Sequence, residues 1–407
     1  MHAAQDVTNP VPVHGPLLVR GQDRKGAASG MIFLSYLLVL AGVSVHLYRQ
    51  PIYSMDSIQY MANALLMEER DPVRIHQRVY AEVQQFIPKE AREGLLGHEV
   101  GAPEYQNESR LERAKNPDRL MEFLPLFAIR PLYNQTLWLV SKTGLGLVRS
   151  GILLSVTSYF LLGVLAFTWH RKYMSAAFTL GFSVLVMVSP PLTALGRITT
   201  SDSLATLVAF ASLYLIFEER RLLPGMILLL ASIYFRTDFV MLAGPVLLAC
   251  WMEHRIDFWK TGALALMAVA SALSINHFAG HYGIGYYYLR SGVPISPGEI
   301  TVQLSLKDYV SGLRGNLTLM TQSFFVPFLL LGATGMVLRR TRALFAVTLA
   351  YALLHFLIVP VWLERYFGVF YLSMAVCAAT MVGTAQRNTA VDAGRRDDEG
   401  EGSHAVA

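Results

Sequence analysis

The chain has 407 residues, 53% of them hydrophobic and only 15% charged, with a mean hydropathy of +0.40, a balance too apolar for a soluble protein of this length. A net charge of +5 and a pI near 9.1 do not call for a nucleic-acid partner, because most basic residues lie in short connections between apolar runs, where membrane orientation accounts for them. The only two cysteines, Cys250 and Cys377, both fall inside apolar runs, which excludes a disulfide framework and a cysteine-based metal site.

A spanning helix needs about 20 mostly apolar residues, and that rule predicts an all-α, polytopic helical membrane protein. Residues 1–29 read as a cytoplasmic N-terminal segment and 30–383 as the transmembrane domain, with about ten transmembrane helices. Their approximate limits are 30–48, 150–169, 173–193, 203–217, 222–235, 239–252, 260–278, 323–338, 343–362 and 366–383. The fourth to sixth are short, which tilt, a thin bilayer or a few more residues at each end would accommodate. The first run follows Arg20, Arg24 and Lys25 as a signal peptide would, but it is longer than a usual signal core and lacks a convincing cleavage site, so it reads as a retained helix.

Two connections are large. Residues 51–149 are polar and contain an amphipathic pattern, with Val73, His76, Val79, Val83, Phe86 and Ile87 at helical spacing, expected to lie on the membrane. Pro125, Arg130 and Pro131 make "FLPLFAIRPLYNQTLWLV" an interfacial or re-entrant segment rather than another crossing. Residues 279–322 are rich in Tyr and Gly, and 384–407 read as a disordered cytoplasmic tail. Neither an internal repeat nor a broken helix is evident.

Basic residues fix the orientation. Arg171 and Lys172, Arg220 and Arg221, Arg255 and Lys260, then Arg339, Arg340 and Arg342 occupy alternate connections, together with the basic residues of both ends. Both termini are therefore expected in the cytoplasm, with the chain in the inner (plasma) membrane.

On that topology the unusual charges share the external face: Asp56, Arg197 and Asp202, Arg236 and Asp238, Glu364 and Arg365. Ionisable groups at such depth are costly unless paired or lining a wet cavity. Each acid has a bland explanation, since Asp56 and Asp202 both stand at predicted helix starts, where a carboxylate accepts backbone N–H bonds. A cap explains the acids but not the arginines. Several arginines at one membrane surface suit a phosphate carried on a lipid, because the guanidinium fork matches phosphate geometry. A carboxylate beside them could take a proton from an incoming hydroxyl.

Here the residues reach a resemblance. The long first external loop opening with "YSMDSIQYMANAL", followed by an amphipathic helix and "FAIRPLY", resembles the integral-membrane glycosyltransferases of the GT-C fold, and "ITTSDSLATLVAFASLYLIF" and "ERYFGVFYLSMA" are similar to segments of bacterial members. The resemblance implies transfer of a sugar from a polyprenyl-phosphate donor to a lipid or cell-envelope glycan acceptor, with Asp56 as catalytic base. Arg236 and Arg365 are its candidates for the donor phosphate, and Asp202 for orienting the acceptor or pairing with an arginine. Asp238, Arg197, Arg130 and Tyr60 complete the candidate substrate-binding set. The chain departs from well-known members in lacking a two-acid motif in the first loop and a soluble C-terminal domain. No cofactor is certain, and a divalent metal stays open.

No Walker-type loop, G-x-G-x-x-G or HExxH is present, so a nucleotide site is unsupported. His76 reads as part of a helix face and His170 as part of a cytoplasmic loop. His277 and His281 lack a third ligand nearby, which favours an interfacial role. Tyr286, Tyr287, Tyr288 and Arg290 suit an aromatic belt or, less well, a sugar-stacking surface. Asn107, Asn134 and Asn316 begin Asn-x-Ser/Thr sites that matter only in a host that glycosylates them. A transporter or flippase of a lipid-linked or anionic substrate is the alternative from another class, and a non-catalytic scaffold with the same fold is a third.

Overall fold

A computed structural model describes residues 22–102, 104–279, 306–359 and 362–401. Among these the chain is helical and has no strand; the backbones of distant segments pair in one isolated parallel bridge, Ile52 with Ile198. The helices in order are α1 (Gln22–Arg49), α2 (Met55–Leu65), α3 (Pro72–Phe86), α4 (Lys89–Leu95), α5 (Glu104–Lys115), α6 (Pro117–Phe123), α7 (Pro125–Ala128), α8 (Pro131–Val140) and α9 (Gly146–Arg171). They continue with α10 (Ala176–Met187), α11 (Pro190–Arg197), α12 (Asp202–Leu213), α13 (Leu222–Phe235), α14 (Val240–Met252) and α15 (Phe258–Phe278). After residues 280–305 come α16 (Leu306–Gln322), α17 (Phe325–Ala333), α18 (Arg339–Ile358) and α19 (Gly368–Glu401).

Five stretches are long and apolar enough to cross a membrane, Ser29–Arg49, Pro131–Arg171, Phe258–Phe278, Arg339–Ile358 and Glu364–Thr389, and up to seven if each of two bent pairs counts as one span. Among the described residues every run marked as apolar in the sequence is largely helical, but Leu222–Phe235 and Thr237–Met252 remain short apolar helices. The bent pairs, α10 with α11 and α16 with α17, each turn by 65°, so broken helices do exist in this chain. Pro190 and Pro191 account for the first: Pro190 starts α11 and has no N–H to continue the ladder of α10.

The first connection folds into seven helices, α2 to α8, because its sequence is punctuated by caps and prolines. Pro72, Pro117, Pro125 and Pro131 each open a helix, where the missing N–H costs nothing. Asp71 and Asn116 cap two of them, accepting from the backbone N–H of Val73 and Asp118, both at 2.9 Å. In α3 the buried face is Ile75, Val79, Tyr80 and Val83, packed within the protein on α2, α6 and α9. Val73, assigned to that face in the sequence, is instead 48% exposed; the face that the periodicity offered to a membrane is covered by the protein.

α2 is the keystone of this region, with every residue from Ser57 to Leu65 buried. Asn63 donates to the carbonyls of Gln59 and Leu124 at 2.9 and 3.0 Å, which ties α2 to α7. At its start, Ile52 N–H donates to the Arg197 carbonyl at 2.8 Å, Arg197 Nε donates to the Gln50 carbonyl at 2.8 Å, and Ser57 Oγ donates to the Thr199 carbonyl at 3.1 Å. Ser155 of α9 holds the Ile198 carbonyl at 2.7 Å from the other side. The segment 198–201 is thus clamped between α2 and α9, and this brings Asp56 beside the start of α12.

α19 is the central helix: its residues Gly368 to Cys377 are buried, and Phe370 stacks on Phe325 of α17 at 4.5 Å. It continues as helix to Glu401, across residues read from the sequence as a tail. At the helix ends remote from Asp202, buried Glu218 meets Lys172, Tyr173 and Arg340, with Arg340 at 2.7 Å. Asp202 and Glu218 stand at the two ends of one helical run, about 24 Å apart at 1.5 Å per residue. His170 is not in a loop: it ends α9, fully buried, with Nδ1 at 2.9 Å from Ser183 Oγ.

Candidate active site

Asp56, Asp202, Arg236, Asp238 and Arg365 meet at one end of the helical bundle, each carried there by a helix terminus. Asp56 is the second residue of α2 and Asp202 the first of α12, so both sit where a helix dipole favours negative charge. Neither helix has a side-chain hydrogen bond from its N-cap residue, Ser54 or Ser201, and both carboxylates reach arginines instead. Arg236 ends α13 with extended backbone before the short turn that holds Asp238, and Arg365 lies in the turn that leads into α19.

The contacts form an alternating chain. Arg365 Nη2 donates to Asp56 Oδ2 at 2.7 Å, and its Nε lies 3.4 Å from Asp202 Oδ2. Arg236 Nη1 donates to Asp202 Oδ1 at 2.5 Å, while its Nε and Nη2 grip the two oxygens of Asp238 at 3.0 and 2.6 Å. His355 Nε2 closes the series 3.1 Å from Asp238 Oδ2, and Thr200 Oγ1 donates to Asp202 Oδ2 at 2.6 Å. Arg236 and Asp202 are almost wholly buried, whereas Asp56 keeps 28% of its side chain exposed. The ring of Tyr366 lies beneath both guanidiniums, 4.4 Å from Arg236 and 5.3 Å from Arg365.

Beside this chain lies a cavity of about 460 Å³. Asp56, Arg130, Arg236, Asp238, His355 and Arg365 form its polar wall. Its apolar lining includes Leu126, Ile129, Met241, Leu273, Ile358 and Leu363. Leu273, Ile358 and Leu363 are also 65%, 37% and 38% exposed, so the apolar wall reaches the outer surface of the bundle.

The remaining sequence candidates are placed differently. Arg130 lines the cavity, with its guanidinium 5.4 Å from the Tyr60 ring and 5.7 Å from the Phe127 ring. Tyr60 is buried behind it and bonds Ser201 Oγ at 3.2 Å. Burial pushes its phenol well above the usual value, so it stays protonated. Arg197 is turned to the Gln50 carbonyl and does not line the cavity. Glu364 accepts from Phe324 N–H at 3.0 Å and so anchors the turn that carries Arg365. Tyr286, Tyr287, Tyr288, Arg290 and His281 lie outside the described residues.

His355, Thr200 and Asn276 belong to the site or line its cavity but do not stand out by charge clustering. His355 had a signal of its own, an ionisable side chain inside the apolar run "YALLHFLIVP", which marks a functional candidate by default. Among the described residues, no group of three or more His, Cys, Asp or Glu side chains is arranged to hold a metal ion.

Fold and site together define an all-α protein of membrane-like character, with a mainly apolar cavity that also carries arginines and aspartates at one end of its helices. Comparison with known proteins gives no match to a family model, to a curated protein or to a solved structure.

Proposed function

We propose that the protein is an integral-membrane glycosyltransferase of the GT-C type, with ten spans. It moves a sugar from a polyprenyl-phosphate donor to a lipid or cell-envelope glycan acceptor on the external face of the inner membrane. The observation that carries this reading is the joint placement of a carboxylate, Asp56, and three arginines in the lining of one cavity, together with apolar residues that reach the surface. A lipid phosphate has that same division: its headgroup needs forked, permanently charged donors, and its chain needs apolar surface open to the bilayer.

In the reaction Asp56 takes the proton of an acceptor hydroxyl as that oxygen bonds the anomeric carbon of the sugar. The bond from that carbon to the phosphate oxygen breaks, and its electron pair leaves with the polyprenyl phosphate. At rest Asp56 is engaged by Arg365 at 2.7 Å.

The test is transfer by purified protein from a panel of radiolabelled polyprenyl-phosphate sugars. Asp56→Asn should lower turnover by about 100-fold or more, the usual span for loss of a general base, while the protein stays folded and inserted. Full activity in that variant removes the base assignment, and absence of transfer by the parent protein with every donor removes the enzyme reading.

The second reading, a transporter or flippase of an anionic lipid, draws on the two helix pairs bent by 65°, since interrupted helices are common in transporters. It expects movement of a lipid-linked substrate across proteoliposomes without any transfer product.

A further inference from the structure

The arginines of the cavity are not equivalent. Arg236 touches two carboxylates, Asp202 and Asp238, and Arg365 touches Asp56 and lies beside Asp202. Both charges are already answered by the protein. Arg130 is different: among the described residues no carboxylate lies within 4.0 Å of its guanidinium, and the guanidinium N–H groups donate to no described side chain or carbonyl. Its guanidinium lies against the rings of Tyr60 and Phe127, which orient it and leave its donors unused. None of its nitrogens is among the buried polar atoms without a partner, so they face the cavity that Arg130 lines.

We infer that Arg130 is the anion-binding residue of this cavity, whereas Arg236 is a positioning residue that holds Asp202 and Asp238 in place. The inference rests on the lipid-phosphate reading for the identity of the anion, a phosphate ester, and goes beyond it in assigning the roles. Charge favours the assignment. Asp56, Asp202 and Asp238 balance Arg130, Arg236 and Arg365 one for one, so the charge chain without Arg130 carries an excess of negative charge and would repel a phosphate. Arg130 offsets that excess at the cavity wall, where a forked donor set reaches two phosphate oxygens at once. A guanidinium in a site of low dielectric also keeps its proton, as an ammonium need not.

Binding to the full-length protein in detergent tests the assignment, with farnesyl phosphate, farnesol and inorganic phosphate as probes. Arg130→Gln should weaken farnesyl phosphate by about 10- to 100-fold, the range for a lost hydrogen bond to a charged group, and leave farnesol unchanged. Inorganic phosphate should bind the parent protein more weakly than farnesyl phosphate if the apolar wall holds the chain; equal binding would make the ligand a free phosphate. Unaltered farnesyl phosphate affinity in Arg130→Gln overturns the assignment. So does an equal loss of farnesol, which would mark a packing defect. Should Arg130→Gln fold poorly, Arg130→Lys keeps the charge without the fork, and its farnesyl phosphate affinity should fall between the two; parent-like affinity there overturns the forked contact.

For Arg236 the readout is stability. Arg236→Gln should lower Tm, and adding Asp238→Asn should restore part of it, which loss of a ligand contact alone would not do. Sugar transfer separates the two claims: transfer that survives Arg130→Gln undamaged defeats this assignment and keeps the enzyme, whereas phosphate binding without any transfer defeats the enzyme and keeps the assignment.

Discussion

Arg236 shows how strongly environment sets the worth of a charge. Its side chain is 2% exposed and its three nitrogens are all engaged by carboxylates. Removing it takes the shared cation from Asp238 and from Asp202, which is only 4% exposed, so Arg236→Gln should cost about 3–5 kcal/mol, the range for breaking a buried pair from one side. Glu68 makes ion pairs with Arg78 and Lys142, but these sit at the surface, with Arg78 52% exposed. Glu68→Gln should therefore cost less than about 1 kcal/mol. Thermal unfolding of the two variants in the same detergent checks the contrast, and similar losses would mean that the Asp202–Arg236–Asp238 cluster is solvated. The cluster was legible in the sequence because acids and arginines at several helix ends have few stable arrangements other than one another. Arg197 was read into it wrongly as to contact, since sequence gives the end of a helix on which a residue sits but not the direction in which its side chain turns. His355 was missed because a lone histidine in an apolar run carries no partner in its own segment; its partner, Asp238, lies on another helix.

At the scale of helices, close approach matters more than hydropathy. Gly335 lies so near α19 that an added Cβ would stand 2.6 Å from the Cys377 carbonyl oxygen and 2.7 Å from its Cβ, and at Gly332 it would meet Met374. Backbone cannot move aside as a flexible side chain can, so Gly335→Val should cost at least the 1–3 kcal/mol (roughly) of an overpacked core. Gly42 has open space around it, and Gly42→Ala should leave Tm unchanged or slightly raised, since Ala is the better helix former. A Tm for Gly335→Val equal to that of the parent would mean that the turn after α17, residues Thr334–Val337, is not seated on α19 as described. Helix existence was legible in the apolar runs, because runs of this length have no other way to satisfy their backbone in a membrane, but not in the polar residues 384–401, which read as a tail and continue α19. Helix continuity was not. The bend between α10 and α11 falls at Pro190 and Pro191, inside a run whose length alone suggested one straight crossing. The covered face of α3 was also hidden, because periodicity reports that a face is apolar and not which surface lies against it.

At the scale of the whole molecule the two ends of the bundle differ in kind, and the difference predicts which end faces out. One end carries the cavity, with its arginines matched by acids or turned to the cavity; the other carries Arg171, Lys172, Arg220, Arg255, Lys260, Arg339 and Arg340 in short connections. Lysines and arginines in short loops stay on the cytoplasmic side, so the cavity end should face the exterior. Single cysteines report this directly, and native Cys250 and Cys377 are fully buried and should contribute little background. Arg74, in the connection before α8, is 70% exposed, and Lys260, at the start of α15, is 74% exposed. A membrane-impermeant maleimide added to intact cells should label Arg74→Cys, and should label Lys260→Cys only after the membrane is opened. The reverse pattern would put the cavity on the cytoplasmic side, where a donor presented on the external leaflet cannot reach Asp56. Labelling of both positions from outside would mean an even number of crossings between them in place of the five made by α9, α10, α12, α13 and α14, so that one of these five helices does not span. Arg236 and Asp238 lie in the turn between α13 and α14, so if either of these is the helix that does not span, the charge chain is not placed at the external surface.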